Sequence, residues 1–210
     1  MLTSTWMSEP DRPHPPAPPF DPAVWSRQLS HRPDAELPFD PALVPHDATL
    51  LPDSCFYIDA LKGLVPPGVV ALVRMPTRPL LHSTVCRAEL AAGSAKLPLA
   101  DLRTPASRAR ILAMLARMPG ERLVQPSAAA WDEAGALAGT LARTQGLAKG
   151  AHLTLVLDAA VLLTALERSA VVLTANVRDF DLLLQLRPEA RVLLYRPMPP
   201  GLRGSPIAVG

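Results

Sequence analysis

The stretch TLLPDSCFYIDALKG, residues 49–63, sets one carboxylate, Asp53, inside an apolar run at the point where its period changes. "TLLPDS" reads as a short strand. "CFYIDALKG" reads as a helix that Ser54 can cap and that Gly63 ends in a left-handed C-cap. A carboxylate moved into a low-dielectric interior costs several kcal/mol or shifts its pKa unless something pairs with it. If this β-to-α unit is buried, Asp53 needs a partner.

The same alternation runs through the rest of the chain. "PPGVVALVRM" reads as a second helix opened by its prolines, "PLLHS" as a second strand, and "TVCRAELAAG" as a helix capped by Ser83 and closed by Gly93. "PASRARILAMLARM" and "PSAAAWDEAGALAGTLARTQG" are two helices expected to form a hairpin, the second closed by Gly146. "LVLDAAVLLTALERS" is an apolar helix, "AVVLTAN" a strand, "RDFDLLLQL" a short helix and "ARVLLYRP" the closing strand. Strands alternating with helices imply a three-layer α/β/α sandwich with a mainly parallel sheet.

Composition bounds this reading. A chain of 210 residues, 49% of them apolar, can bury a real core. A net charge of +2 neither demands nor excludes a nucleic-acid partner. The two cysteines, Cys55 and Cys86, make no disulfide framework, and no Cys/His spacing resembles a zinc site, so a cytoplasmic setting is expected. The longest apolar stretch is too short and, with Asp158 inside it, too interrupted to span a bilayer. The first residues lack the basic start and apolar segment of a secretion signal, and "MSEP" suggests a start at Met7. Eleven of the 25 prolines fall in the first 50 residues. Residues 1–46 are therefore expected as an extended, flexible arm dispensable for the fold, with Trp6, Phe20, Trp25 and Phe39 as possible anchors. Residues 47–198 are expected to form the folded domain, and 199–210 a tail.

In open parallel sheets, ligands gather beyond the carboxyl ends of the strands. Asp53 ends the first strand, Glu89 lies in the helix after "PLLHS", Asp158 lies near the start of the apolar helix, and "TANVRD" follows "AVVL". Glu89 and Asp158 stand among alanines and leucines, unlike acids of a solvated face. Arg87 and Arg178 are the only cations close in sequence, so a divalent metal is the economical partner.

These residues carry a resemblance. "LLPDSCFYIDAL" resembles the opening strand and helix of PIN-domain ribonucleases, especially the VapC-like toxins. "HSTVCRAEL" resembles their Ser-to-Glu helix, and "LDAAVLLTALERSAVVLTANVRDFD" resembles their "DA...A...G...T.N..DF" signature. In order, the blocks cover roughly residues 48–196. The resemblance implies an endoribonuclease dependent on Mg²⁺ or Mn²⁺, acting on an RNA substrate, held inactive by a cognate antitoxin protein, and able to form a homodimer. It carries over Asp53, Glu89 and Asp158 as metal ligands and catalytic acids. Many relatives place aspartate two residues after the threonine, where this chain has Asn176. Asp179 is the remaining candidate for the fourth acid, and Asn176 a polar contact.

Two other functions fit parts of the pattern: a weakly catalytic PIN-like module that binds RNA or protein, and an aspartyl-nucleophile phosphatase. The phosphatase would need a second aspartate where Cys55 stands. Asp59 is read as a solvated helix acid and His82 as a strand-end core residue. Cys55 and Cys86 are read as free thiols, Trp131 as packing, and Arg103, Arg108, Arg110 and Arg117 as a basic face that could track phosphates. Ser54 and Thr174 are read as capping and turn hydroxyls.

Overall fold

The computed structural model describes residues 20–147, 150 and 152–207. Trp6, the expected start at Met7 and the first part of the proline-rich segment lie outside the described residues.

Strand β1 (Leu50–Pro52) opens the expected unit, with Leu50 and Leu51 fully buried. It runs into α1 (Ser54–Lys62), which ends at Gly63 with φ of 67°. Only glycine adopts that backbone freely. A Cβ at Gly63 would also collide with the Gly204 carbonyl, which the C-terminal segment lays across it. Helix α2 (Pro67–Val73) follows, then β2 (His82–Ser83) and α3 (Thr84–Ala95). Ser83 caps α3 as expected, its hydroxyl accepting from the Val85 N–H at 3.1 Å. Gly93 does not end α3; it lies inside the last turn, with helical geometry continuing to Lys96.

Helix α4 (Thr104–Arg117) leads to β3 (Leu123–Val124), then α5 (Ala128–Gln145), closed by Gly146 at φ of 63°. The expected α4–α5 hairpin does not form. The intervening β3 pairs in parallel with β2, so α4 packs on α3 and α5 packs along α6 (His152–Glu167). Helix α6 is apolar around most of its circumference, as suits a helix covered on all sides. Strand β4 (Val171–Thr174), α7 (Val177–Leu186) and β5 (Arg191–Leu194) complete the chain of elements.

The sheet is parallel throughout. Strand β4 lies between β1 and β5, Leu50 opposite Val171 and Val171 opposite Arg191. Strands β2 and β3 form a separate two-stranded sheet, and an isolated parallel bridge from Leu50 to Leu80 sets it beside β1 of the three-stranded sheet β1–β4–β5. The architecture is an α/β sandwich. Among the described residues no single helix is long and apolar enough to cross a membrane.

Residues 20–46 differ from the expected unpacked arm. They form a strap of three single-turn 3-10 helices, Pro22–Val24, Asp34–Glu36 and Pro41–Leu43. Leu37 and Val44 are buried, and Phe20, Trp25, Leu29 and Phe39 pack against the core. The strap is fastened by polar contacts. Asp181 on α7, itself 1% exposed, accepts from Arg32 Nε at 2.7 Å and the Arg32 N–H at 3.0 Å, and contacts His31 Nδ1 at 3.0 Å. Leu194 of β5 donates its N–H to the Pro38 carbonyl at 2.9 Å. Proline excludes helix interiors and ladders, but it does not prevent such turns from docking. The segment after β5 also docks: Ile207 is buried, and its N–H donates to the Ala60 carbonyl at 3.1 Å.

Candidate functional site

Asp53 is 2% exposed, and its partners are hydrogen-bond donors rather than cations. It is itself the N-cap of α1, where Ser54 was expected; Oδ1 accepts from the Ser54 N–H at 2.6 Å. Oδ2 accepts from the Thr174 hydroxyl at 2.9 Å and the Cys55 thiol at 3.1 Å. The backbone N–H of Asp53 donates to the Leu173 carbonyl at 3.0 Å, which holds the end of β1 against β4. A helix N-terminus also favours negative charge. The carboxylate is thus locked at the carboxyl edge of the two central strands.

Glu89 reaches it there, while Asp158 and Asp179 stand outside that group on α6 and α7, where the Asp53 charge acts on Asp158. Glu89, one turn beyond Cys86 on α3, is half-buried, and one donor atom each from Asp53, Cys86 and Glu89 lies within 4.8 Å of the others. Burial, then the Asp53 charge, push the Glu89 carboxyl above its usual range, against a hydrogen bond from the Ser54 side chain. Asp158, 8% exposed on α6, is pushed up to about 8 by burial and by the charges of Asp53, Asp179 and Glu89. Asn176 caps α7 with Oδ1, which accepts from the Asp179 N–H at 3.4 Å. Its Nδ2 then donates to Asp158 Oδ2 at 3.1 Å and to Asp179 Oδ2 at 3.0 Å.

Among the described residues none of these four acids is ion-paired. Arg87 donates instead to the Leu115 carbonyl at 2.7 Å, and Arg178 is exposed. A group of carboxylates in which burial and neighbouring charges push Glu89 and Asp158 up, with no ion pair to offset them among the described residues, suits a hard divalent ion bound through oxygens. Cys86 is a poorer donor for such an ion. Burial, Asp53 and Glu89 push its thiol well above the usual value and keep it neutral. The donor set therefore fits Mg²⁺ or Mn²⁺.

Several residues read otherwise from the sequence are placed differently. Asp59 is not a solvated acid: it is 9% exposed, and its Oδ2 accepts from the Tyr195 hydroxyl at 3.0 Å. Trp131 is not packed away; it is 40% exposed on α5. His82 is a fully buried strand residue, as read, and its Nδ1 is 2.7 Å from the Tyr57 hydroxyl. Burial, with Arg122 and Arg87 nearby, lowers its pKa to about 4, so the ring is neutral. Both cysteines are free thiols. Of the arginines near α4, Arg103 pairs with Asp101 and Arg108 donates to the Ser94 carbonyl, while Arg110 and Arg117 are exposed. The bridging role of Asn176 is the feature the sequence reading missed. The signal was present in "TANVRD", where an N-cap position and an acid three residues on share one first turn.

No protein-family model matches this sequence, and no curated protein matches it. Solved structures are similar in fold. A chain of VapBC-1 from nontypeable Haemophilus influenzae is 19% identical over 70% of this chain and 97% of its own length, with a TM-score of 0.46. A chain of DNA-bound VapBC from Salmonella typhimurium is 21% identical over 69% of this chain and 96% of its own, with a TM-score of 0.48. FitAcB from Neisseria gonorrhoeae contributes a chain 18% identical over 73% of this one and 99% of its own, at 0.46. At these identities the likeness is one of fold.

Proposed function

We propose that this protein is a metal-dependent endoribonuclease of the VapC-like kind, the toxin of a toxin–antitoxin pair. The observation that supports the reading is that Asp53 and Glu89 bring oxygens within 4.8 Å of each other, that their charges and that of Asp179 act on Asp158, and that none of these acids is ion-paired among the described residues. Asp53, Glu89 and Asp158 would hold Mg²⁺ or Mn²⁺, which when bound offsets charge on the phosphoryl oxygens and supplies an activated water. The Thr174 hydroxyl and the Ser54 N–H hold Asp53 in one orientation, so its carboxylate needs little rearrangement. Glu89, less buried than Asp53, would orient the attacking water. Asp179 lies across Asn176 from Asp158 and adds negative charge to the same rim.

The partners are those the resemblance implies: an RNA substrate, a cognate antitoxin and a second copy of the chain. Cleavage of a defined RNA pool by purified protein, with Mg²⁺ or Mn²⁺ and then with EDTA, tests the reading. Endonucleolytic cleavage that EDTA stops and that Asp158→Asn lacks is expected. Cleavage that persists after complete metal removal overturns the mechanism. The Asn176 amide, standing where many relatives have a carboxylate, favours one second reading, a module that binds RNA and cuts it poorly. Metal-dependent RNA binding without cleavage would select it.

A further inference from the structure

Helix α4 is held from one side. Of its 14 residues only Thr104 and Met114 are buried, and it packs on α3. Arginines turned inward tie the pair: Arg108 Nε donates to the Ser94 carbonyl at 3.3 Å, and Arg87 of α3 donates to the Leu115 carbonyl at 2.7 Å. A surface helix ordinarily buries its apolar residues and shows polar ones to water. On α4 the outward side is apolar. Pro105, Ala106, Ala109, Leu112, Ala113 and Ala116 are all exposed, and their steps of three and four residues place them on one face. In the loop that leads into the helix, Leu99 and Leu102 are 85% and 97% exposed. An apolar helix face entered through bare leucines marks an interaction surface.

Charge says what covers it. Residues 96–122 hold six basic residues against two acids, in a chain whose net charge is only +2. Arg103 and Asp101 pair with each other, but Arg110 and Arg117 are exposed and, among the described residues, in no ion pair. These two lie seven residues apart on one edge of the apolar face, about 10.5 Å along the helix. A partner that covers the alanines and leucines while meeting both guanidinium groups is itself a helix, with acids at the same interval. RNA fits less well, because it would leave the leucines uncovered and no aromatic residue falls between Tyr57 and Trp131 to stack a base. A second copy also fits less well: an antiparallel contact of α4 with itself across a two-fold axis sets the arginine edge against itself.

We propose that the outer face of α4, with Arg110 and Arg117 along its edge, docks an acidic amphipathic helix of another protein. This surface does not include the acid site, so it stands whether or not the chain cleaves RNA.

The test uses the full chain and two synthetic helical peptides long enough to span α4, each with leucine along one face, one with glutamate and the other with lysine along the edges. Fluorescence anisotropy reads the binding. The glutamate peptide is expected to bind about tenfold or more tighter than the lysine peptide. Arg110→Glu combined with Arg117→Glu is expected to reverse that order, and Leu112→Gln to weaken both peptides with the order kept. Thermal melts identify a variant that fails to fold, and Leu112→Gln serves if the double variant does. No binding of the glutamate peptide, equal binding of the two peptides, or an order that the double variant leaves unchanged overturns the proposal. Self-association of wild type in sedimentation velocity that Leu112→Gln abolishes also overturns it, by making a second copy the occupant. So does a short single-stranded RNA that binds wild type more tightly than the glutamate peptide and is lost in the double variant.

Discussion

Asp158→Asn offers a direct measure of the electrostatic cost of gathering these acids. The folded protein holds the Asp158 carboxyl near pKa 8, against an ordinary 3.8, through burial and the charges of Asp53, Asp179 and Glu89. The native state therefore keeps a proton that the unfolded chain releases, so without metal the stability contributed at low pH declines as pH rises from about 4 to about 8. At pH 7 the full effect is on the order of 4 kcal/mol, and relaxation of the neighbouring acids makes about 2–4 kcal/mol a realistic range. Asparagine is uncharged at every pH and keeps an oxygen for the Asn176 amide. In EDTA at pH 7, Asp158→Asn should be more stable than wild type by that amount, with a flatter dependence on pH. Urea unfolding at pH 5, 6, 7 and 8 measures both. With Mn²⁺ the gap should largely close: an ion at about 100 times its Kd adds roughly 2.7 kcal/mol to wild type and little to the variant. A variant less stable than wild type in EDTA, with the same pH slope, would refute the account of Asp158 as a strained acid.

Two further outcomes concern contacts away from the site, and a third the Thr174–Asp53 contact within it. Arg32→Ala leaves the buried Asp181 carboxylate with His31 as its remaining side-chain partner from the strap, and should cost about 2 kcal/mol in urea unfolding. Burial raises the Asp181 pKa, but Arg32 and His31 outweigh it and hold it below the ordinary value. The stability this supplies is present above about pH 4 and lost as pH falls, so Arg32→Ala should also shift acid unfolding to higher pH. Asp59→Ala leaves the buried Tyr195 hydroxyl without its acceptor and should cost about 1–3 kcal/mol, measured by chemical denaturation; a change below 0.5 kcal/mol would return Asp59 to the solvated class. Thr174→Val removes a donor from Asp53 while keeping shape; Mn²⁺ affinity should fall about tenfold or more with the fold intact, and unchanged affinity would show that the hydroxyl does not position the carboxylate.

Legibility in the sequence followed the range of the interactions. The caps at Ser83, Gly63 and Gly146 are local and were readable from residue type, and the β-to-α alternation placed Asp53, Glu89, Asp158 and Asp179 toward one sheet edge. Two-residue β3 left no period to detect, and without it α4 and α5 looked like consecutive helices free to pair. Asp59 was misread because its partner, Tyr195, is 136 residues away. The strap was misread because proline content reports which regular structures are forbidden, whereas docking depends on where Phe20, Trp25, Leu29 and Phe39 find the core. At the site, residue type indicated where the acids go but not that the Asn176 amide would join two of them.

The strap also bears on how the chain acquires its structure. Arg32 finds its acceptor on Asp181, 149 residues later, and Pro38 finds its donor on Leu194 of the last strand. During synthesis the strap precedes the elements it fastens to: α5, whose Arg143 donates to the Pro22 and Trp25 carbonyls, and only later α7 and β5. Closing so long a loop is entropically slow, and the apolar side chains of the strap stay exposed until it closes. The N-terminal segment is thus the first part of the domain to be born and among the last to find its place, leaving a nascent chain whose site-bearing α7 is tethered only at the end of folding.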